Sequence, residues 1–391
     1  MKVETIRPHA HPVLRVSELS RWFLHGFHHE EAKTPRVGKG MMSVEMKSLK
    51  LLFVVLLFVT LFAGFAWAQG KKVHVVCTLP TLKALTEEVG GERVDVIALA
   101  KGDQDPHFVT PTPVLMRKTR EADLFIENGL SLELWADEVA NGSGNSRIFR
   151  GTPGRIIASA GISALEIPAV LTRELGDIHP QGNPHVWLDP LLAKVQVGNI
   201  CQALKAADPA GASYYEARMN NFDKRIDDAL FGPELVKLIG TPKLTRLAWS
   251  GELHDFLQNN KFGTQPLSER AGGWLKAAAP LRGVKAYEFH KVWVYFARVF
   301  GIQLMGTIEE RPGIPAGPQH IRQVIEKIKG EKILLILVDN FYDPSLPQRI
   351  AQQTGAVMVL LPDQVEGEPG IKTYFDLMDH LIRAMTSALK N

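Results

Sequence analysis

Short runs of Val, Ile and Leu alternate with helix-patterned segments in two separate stretches of this chain, and that alternation limits the folds open to it. Val73-His74-Val75-Val76-Cys77-Thr78 reads as a buried strand, residues 79–89 as a helix closed by Gly90-Gly91, and residues 94–98 as the next strand. Strand, helix and strand in such quick succession form a βαβ unit, which requires parallel pairing and a right-handed crossover. Thr112-Pro113 then supplies a cap and a first helical residue for a helix to about residue 122. A strand over 123–128, a helix over 130–140 and a short strand over 155–159 follow. The second series runs strand 284–289, helix 291–300, strand 302–308, helix 319–329, strand 333–338, helix 346–354 and strand 357–361, with a closing helix over 373–389. The predicted class is α/β, with two lobes, each a mostly parallel sheet flanked by helices.

Between the two series, Asp189-Pro190 opens a helix to about residue 206, and Asp208-Pro209 opens another to about residue 231. In the latter, Tyr214, Met219, Phe222, Ile226 and Leu230 recur at roughly helical spacing, with Arg218, Lys224, Arg225, Asp227 and Asp228 on the other faces. Two readings fit it: an ordinary amphipathic helix, or a stiff spine joining two lobes. Residues 232–281 are helix-rich and irregular, with Trp249, Trp274 and several Gly breaks. The expected boundaries are a lobe over 69–207, a linker helix over 208–232 and a second lobe over 233–391 that carries a helical insertion at 233–281. There is no internal repeat, no GxGxxG and no P-loop.

The N-terminal segment sets the expected compartment. Met46-Lys47-Ser48-Leu49-Lys50 is a short basic region, Leu51 to Phe65 is an almost unbroken apolar run, and Ala66-Trp67-Ala68 ahead of Gln69 fits signal-peptide cleavage. A retained membrane anchor is the competing reading, and the small-residue ending favours cleavage after Ala68 and a periplasmic product. No cysteine adjoins the cleavage point, so lipid attachment is not expected there. Residues 1–45 mix His, Pro and Arg without periodicity and read as a non-native or disordered extension, with Met46 (or Met41 or Met42) as the start. Residues 1–68 hold 9 of the 45 Lys and Arg and 5 of the 42 Asp and Glu, leaving 36 basic against 37 acidic residues beyond them. A nearly neutral mature chain has no electrostatic footprint for nucleic acid. Cys77 and Cys201 lack a CxxC partner and read as two buried thiols, although an exported protein could pair them.

Chemistry concentrates on three histidines. Asn183-Pro184-His185-Val186-Trp187-Leu188-Asp189-Pro190 holds His185 in a loop just ahead of a helix capped by Asp189. Asp105-Pro106-His107 is a second Pro-His pair, and His290 directly follows the strand over 284–289. In open parallel sheets, ligands bind beyond the carboxyl ends of the strands, so all three side chains can reach one crevice. Neutral imidazole suits zinc and other divalent first-row metals. Donors drawn from three distant elements in both halves suit capture and release better than catalysis. No GxSxG and no glutamate beside a pair of metal histidines supplies a nucleophile or general base. Lone His254 reads as a surface or packing residue. Binding through imidazoles is expected to weaken as the pH falls through the histidine range near about 6.5.

Several stretches together resemble the metal-binding solute-binding proteins of zinc and manganese ABC transporters. They are Asp105-Pro106-His107 with Pro111-Thr112-Pro113; Ala122-Asp123-Leu124 through Asn128-Gly129-Leu130 to Leu132-Glu133-Leu134-Trp135; Pro184 to Pro190; and His290-Lys291-Val292-Trp293-Val294-Tyr295-Phe296. The likeness covers nearly all of residues 72–389. It implies two α/β lobes joined by a long rigid helix, a metal in the inter-lobe cleft, ligands at His107, His185 and His290, and delivery to a membrane permease and its ATPase by a monomer. Leu361-Pro362 stands where such proteins often carry an aspartate as fourth ligand, so Asp363 or a water takes that role. Their His-rich loop is reduced to His179, and residues 232–281 exceed the usual link. Manganese members tend to carry a carboxylate at the third position, so His290 tilts the choice toward Zn2+, with Mn2+ second. Trp187, Trp293 and Tyr295 are expected to wall the site, and Asp105 and Asp189 to accept from imidazole N–H groups, Asp189 more simply being a cap. The rival readings are a zinc-dependent hydrolase using the same histidines and a bound water, and a metal-binding surface adhesin.

Overall fold

The structure, a computed structural model, describes residues 71–169, 179–309 and 314–390. The expectations for residues 1–68, the extension and the signal peptide, lie outside the described residues. So does any account of 170–178, the segment leading into His179.

Strands β1 (Val73–Cys77), β2 (Val94–Ala98), β3 (Leu124–Glu127) and β4 (Arg155–Ile157) form a sheet in the order β2-β1-β3-β4. Every pairing in it is parallel. Helices α1 (Pro80–Gly90), α2 (Pro113–Thr119) and α3 (Ala136–Ser143) connect these strands. Pro at the first turn of α1 and Thr112 at the cap of α2, whose hydroxyl accepts the Leu115 N–H, start them where the sequence reading places them.

Helices α4 (Pro190–Ala207) and α5 (Ala212–Phe231) follow and pack on one another and on α1. The insertion consists of α6 (Pro233–Ile239), α7 (Thr241–Trp249), α8 (Leu253–Asn259), a two-residue antiparallel ladder of β5 (Lys261–Phe262) with β6 (Gln265–Pro266), and α9 (Gly273–Ala277). A second sheet then takes the order β10-β9-β7-β8. It is built from β7 (Lys285–Glu288), β8 (Gln303–Thr307), β9 (Leu335–Asp339) and β10 (Val357–Leu361), again all parallel. Its helices are α10 (Val294–Phe300), α11 (Pro318–Glu331), α12 (Ser345–Thr354) and α13 (Tyr374–Ala388), the last opened by a Thr373–Asp376 capping box. Among the described residues no helix is long and apolar enough to cross a membrane.

Burial follows the period of two along the central strand of the second sheet. Leu335 and Leu337 enter a core that is continuous with that of the first sheet, while Ile336 and Val338 enter a separate cluster with Val324, Ile328 and Ile350. Across the lobes, the Tyr374 hydroxyl donates to the Trp187 carbonyl (2.7 Å), and the Val365 N–H donates to the Thr81 hydroxyl (3.0 Å).

Two helices start later than their patterns suggest, and in both cases a buried glutamate is the reason. The helix expected over 130–140 begins at Ala136, because Gly129, Leu130 and Ser131 all take positive φ (87°, 54° and 62°) in a tight turn. Glu133, pointing back, accepts the N–H groups of Asn128 (2.7 Å) and Gly129 (3.1 Å) and the Thr78 hydroxyl (2.7 Å). Burial and the nearby Glu127 push its carboxyl up to about 7. The helix expected from residue 291 begins at Val294, since the buried Glu288 carboxyl accepts the Val292 and Trp293 N–H groups (3.2 and 3.0 Å). Cys77 and Cys201 are buried and free.

Candidate metal centre

Both Pro-His pairs fold the same way. The Asp105 Oδ1 accepts the backbone N–H of His107 (2.9 Å) and its ring Nδ1–H (2.7 Å). The Asn183 Oδ1 accepts the backbone N–H of His185 (3.0 Å) and its ring Nδ1–H (2.9 Å). An Asp or Asn two residues ahead thus closes a local turn and fixes the imidazole with the same oxygen, while the intervening Pro restrains the chain. Neighbours hold each turn in place. The Trp135 Nε1–H donates to the Pro106 carbonyl (2.9 Å). The Asn183 amide donates to the Lys291 carbonyl (2.8 Å) and to Glu166 (2.9 Å), and the Tyr295 hydroxyl donates to the Asn183 carbonyl (2.7 Å).

His290 is fixed differently. β7 and β8 pair with Glu288 opposite Thr307, and two residues further along Glu309 lies beside His290, its carboxylate accepting the ring Nδ1–H (2.7 Å). In all three rings Nδ1 faces an oxygen acceptor, so Nε2 is the nitrogen turned away from it.

The three rings converge. His107, His185 and His290 each offer a nitrogen within 4.8 Å of the others. Ring centroids are 5.4 Å apart for His107 and His185, 5.3 Å for His107 and His290, and 6.1 Å for His185 and His290. The Nε2 of His185, on a residue 1% exposed, has no hydrogen-bond partner among the described residues. Burial, then the neighbouring His107, His290 and His179, hold its pKa well below the ordinary histidine value, so it stays neutral and able to ligate. Burial raises the Asp105 carboxyl, but the hydrogen bond and charge of His107 outweigh that and bring it below the usual range.

His179 joins the group. Its Nε2 lies 3.2 Å from the Nε2 of His107, and burial followed by the charges of His107 and His290 lowers its pKa to about 3. Asp363 is fully buried and stands outside the three-histidine set. Its Oδ2 accepts weakly from Gln364 (3.4 Å), while Oδ1 has no partner among the described residues. Burial pushes this carboxyl up to about 7.

Asp189 is a cap and an ion-pair partner: it accepts the Leu191 N–H (2.8 Å) and meets Arg298 (2.6 Å). Trp187 packs against His185 at 5.3 Å and donates its Nε1–H to the Asp363 carbonyl (2.6 Å). Tyr295 acts through Asn183, and Trp293 lies in the apolar core against Phe296. His254 is half-buried on the Val299 carbonyl (3.2 Å). The sequence reading missed Asn183 and Glu309. The repeated Asp/Asn-Pro-His pattern could have found the first; the second depends on pairing between strands.

Two parallel α/β sheets with three imidazoles clustered beyond their strands form a site whose chemistry suits a metal ion. The chain belongs to the ZnuA family, described as the periplasmic component A of the zinc-uptake complex, which matches residues 75–230 and 269–388. It is 26% identical over 337 residues to the iron-binding protein YfeA of Yersinia pestis, covering 84% of this chain and 92% of that one. It is 22% identical over 357 residues to the manganese ABC transporter substrate-binding lipoprotein PsaA of Streptococcus mitis, covering 88% and 99%. A crystal structure of ZnuA superimposes with a TM-score of 0.60 at 21% identity, covering 81% of this chain and 99% of that one. The chain is a metal-binding substrate-binding protein of an ABC transporter.

Proposed function

We propose that this protein captures Zn2+, with Mn2+ the alternative cargo, through the Nε2 atoms of His107, His185 and His290, and delivers it outside the cytoplasm to an ABC importer. The observation that carries this reading is the common orientation of the rings: Asp105, Asn183 and Glu309 each take an Nδ1–H and leave an Nε2 facing the other two. Metal-bound histidines are held in this way, and the acceptor fixes the tautomer and raises the basicity of the ligating nitrogen. Three nitrogen donors suit zinc, which also takes a fourth ligand in tetrahedral sites.

Asp363 is the proposed fourth donor, supported by its buried, unpartnered Oδ1. His179 gives a second reading of that position, because its Nε2 already lies 3.2 Å from the Nε2 of His107. The chain is further proposed to be exported, cleaved after Ala68 and monomeric, with helix α5 as the spine between lobes over 69–207 and 233–391.

Metal content by mass spectrometry and calorimetric titration of the mature chain with Zn2+ and Mn2+ test the proposal. One equivalent of Zn2+ held by wild type and lost in His185→Ala is the expected result. A variant that keeps wild-type affinity would remove the three-histidine site.

A further inference from the structure

The second sheet carries a carboxylate that the three-histidine site leaves unexplained. Asp339 ends β9, the strand between β7 and β10, and is 0% exposed. Neither of its carboxylate oxygens has a hydrogen-bond partner among the described residues. A buried carboxylate in that condition is destabilising unless something compensates it.

Strand register shows what lies beside it. β7 pairs with β9 with Glu288 opposite Leu337, and the Phe289 N–H still donates to the Leu337 carbonyl (2.8 Å), so two residues on His290 comes level with Asp339. On the other side Asp339 pairs with Leu361, two residues before Asp363. Side chains level in a parallel pair, and those two apart along a strand, share one face of the sheet. Asp339 closes its strand, and His290 and Asp363 each follow the end of a strand beside it by two residues, so all three gather at the carboxyl edge of the sheet, where α/β sheets bind ligands. Asp363, Glu288 and Asp105 all lie near enough for their charges to act on the Asp339 carboxyl. Asp105 is the residue that holds His107 on the opposite wall.

We infer that Asp339 is a further oxygen donor to the cation and the residue that sets its selectivity, admitting metals that require more ligands than tetrahedral zinc. This rests on the three-histidine reading above. Two adjacent buried carboxylates are relieved when a divalent cation binds between them. Three imidazoles and one carboxylate make a zinc-like set, whereas a second carboxylate adds the hard oxygen that Mn2+ and Fe2+ take in larger coordination shells.

The test is titration of metal-free wild type, Asp339→Asn and His185→Ala with Zn2+ and, separately, Mn2+. In Asp339→Asn, Mn2+ affinity should fall about tenfold or more while Zn2+ affinity stays within about threefold, widening the preference for zinc. An unchanged ratio of the two affinities overturns the inference, whether both hold or both fall together. Loading wild type with Co2+ gives a readout that does not depend on how the variant folds. Weak visible bands of five- or six-coordinate Co2+ are expected, and the intense bands of a four-coordinate ion would also overturn it. If His185→Ala keeps both metals at wild-type affinity, the three-histidine reading itself fails, a result distinct from either outcome for Asp339.

Discussion

The two walls of the crevice present histidines by different means. On the wall built from the first lobe, His107 and His185 are each set by an Asp or Asn two residues earlier, within a single turn of chain. On the other wall, His290 is set by Glu309, two residues beyond the neighbouring strand β8, and the carboxylates of Asp339 and Asp363 lie at the end of β9 and just past the end of β10. One wall holds its histidines by local turn chemistry and the other by sheet register. The first is also a nitrogen wall, and the second mixes nitrogen with oxygen.

Removing a ligand from the local wall should have the largest effect. His185→Ala should lower Zn2+ affinity more than about a hundredfold, or roughly 2.7 kcal/mol, read by competition with a chelator of known strength. Removing the acceptors behind the rings compares the two walls directly. Asn183→Ala and Glu309→Ala should each cost about 10–100-fold in affinity, the range for groups that orient metal-bound histidines. Asn183→Ala should also lower the melting temperature of the metal-free protein appreciably, because the Asn183 amide additionally donates to Glu166 and the Lys291 carbonyl. An unchanged melting temperature for Asn183→Ala would show that the turn around His185 does not depend on those bonds.

The same distinction explains what could be read from the chain. The alternating apolar runs place every strand of both sheets within a few residues of its position, and β2 and β10 fall on 94–98 and 357–361 as the pattern predicts. The Pro-His pairs were visible because their geometry is local: three consecutive residues contain the turn, its acceptor and the ligand. His290 could be picked out because it ends an apolar strand, yet the Glu309 behind it could not, since 19 residues separate the two and only the β7–β8 register joins them. Asp339 was hidden in the same way, as an acidic end to the apolar run of β9 with nothing nearby in sequence to mark it. The late starts of α3 and α10 were hidden because Glu133 and Glu288, which look like surface residues in the sequence, turn inward to collect backbone amides. Long-range pairing and buried acid are the two things that periodicity does not encode.

A smaller effect is expected where the local wall leans on its surroundings. Trp135→Phe keeps the ring packing but leaves the Pro106 carbonyl without its indole donor. It should cost about 1 kcal/mol in urea unfolding, the usual net value of one such bond. Zn2+ affinity should fall only a few-fold, since the Asp105 turn that orients His107 stays whole. A loss as large as that of Asn183→Ala would mean that the turn does not set its ligand by itself.

The smallest effect is expected at the surface seam between the walls. Lys83 on α1 meets Glu366, beyond β10, at 2.8 Å, with the two side chains 24% and 50% exposed. Water and salt screen such a pair, so Lys83→Ala should change unfolding free energy by less than about 1 kcal/mol, and by less still at high ionic strength. Beneath it the Thr81 hydroxyl accepts the Val365 N–H, and the Gln364 side chain accepts the Thr81 N–H (3.4 Å), both buried and independent of Lys83. Those contacts should keep the two walls at their present spacing in the variant, leaving Zn2+ affinity unchanged in calorimetry. A clear fall in affinity at low salt that disappears at high salt would show instead that surface charge sets the spacing of the walls, and that the turn-held and register-held ligands are brought together from outside the crevice.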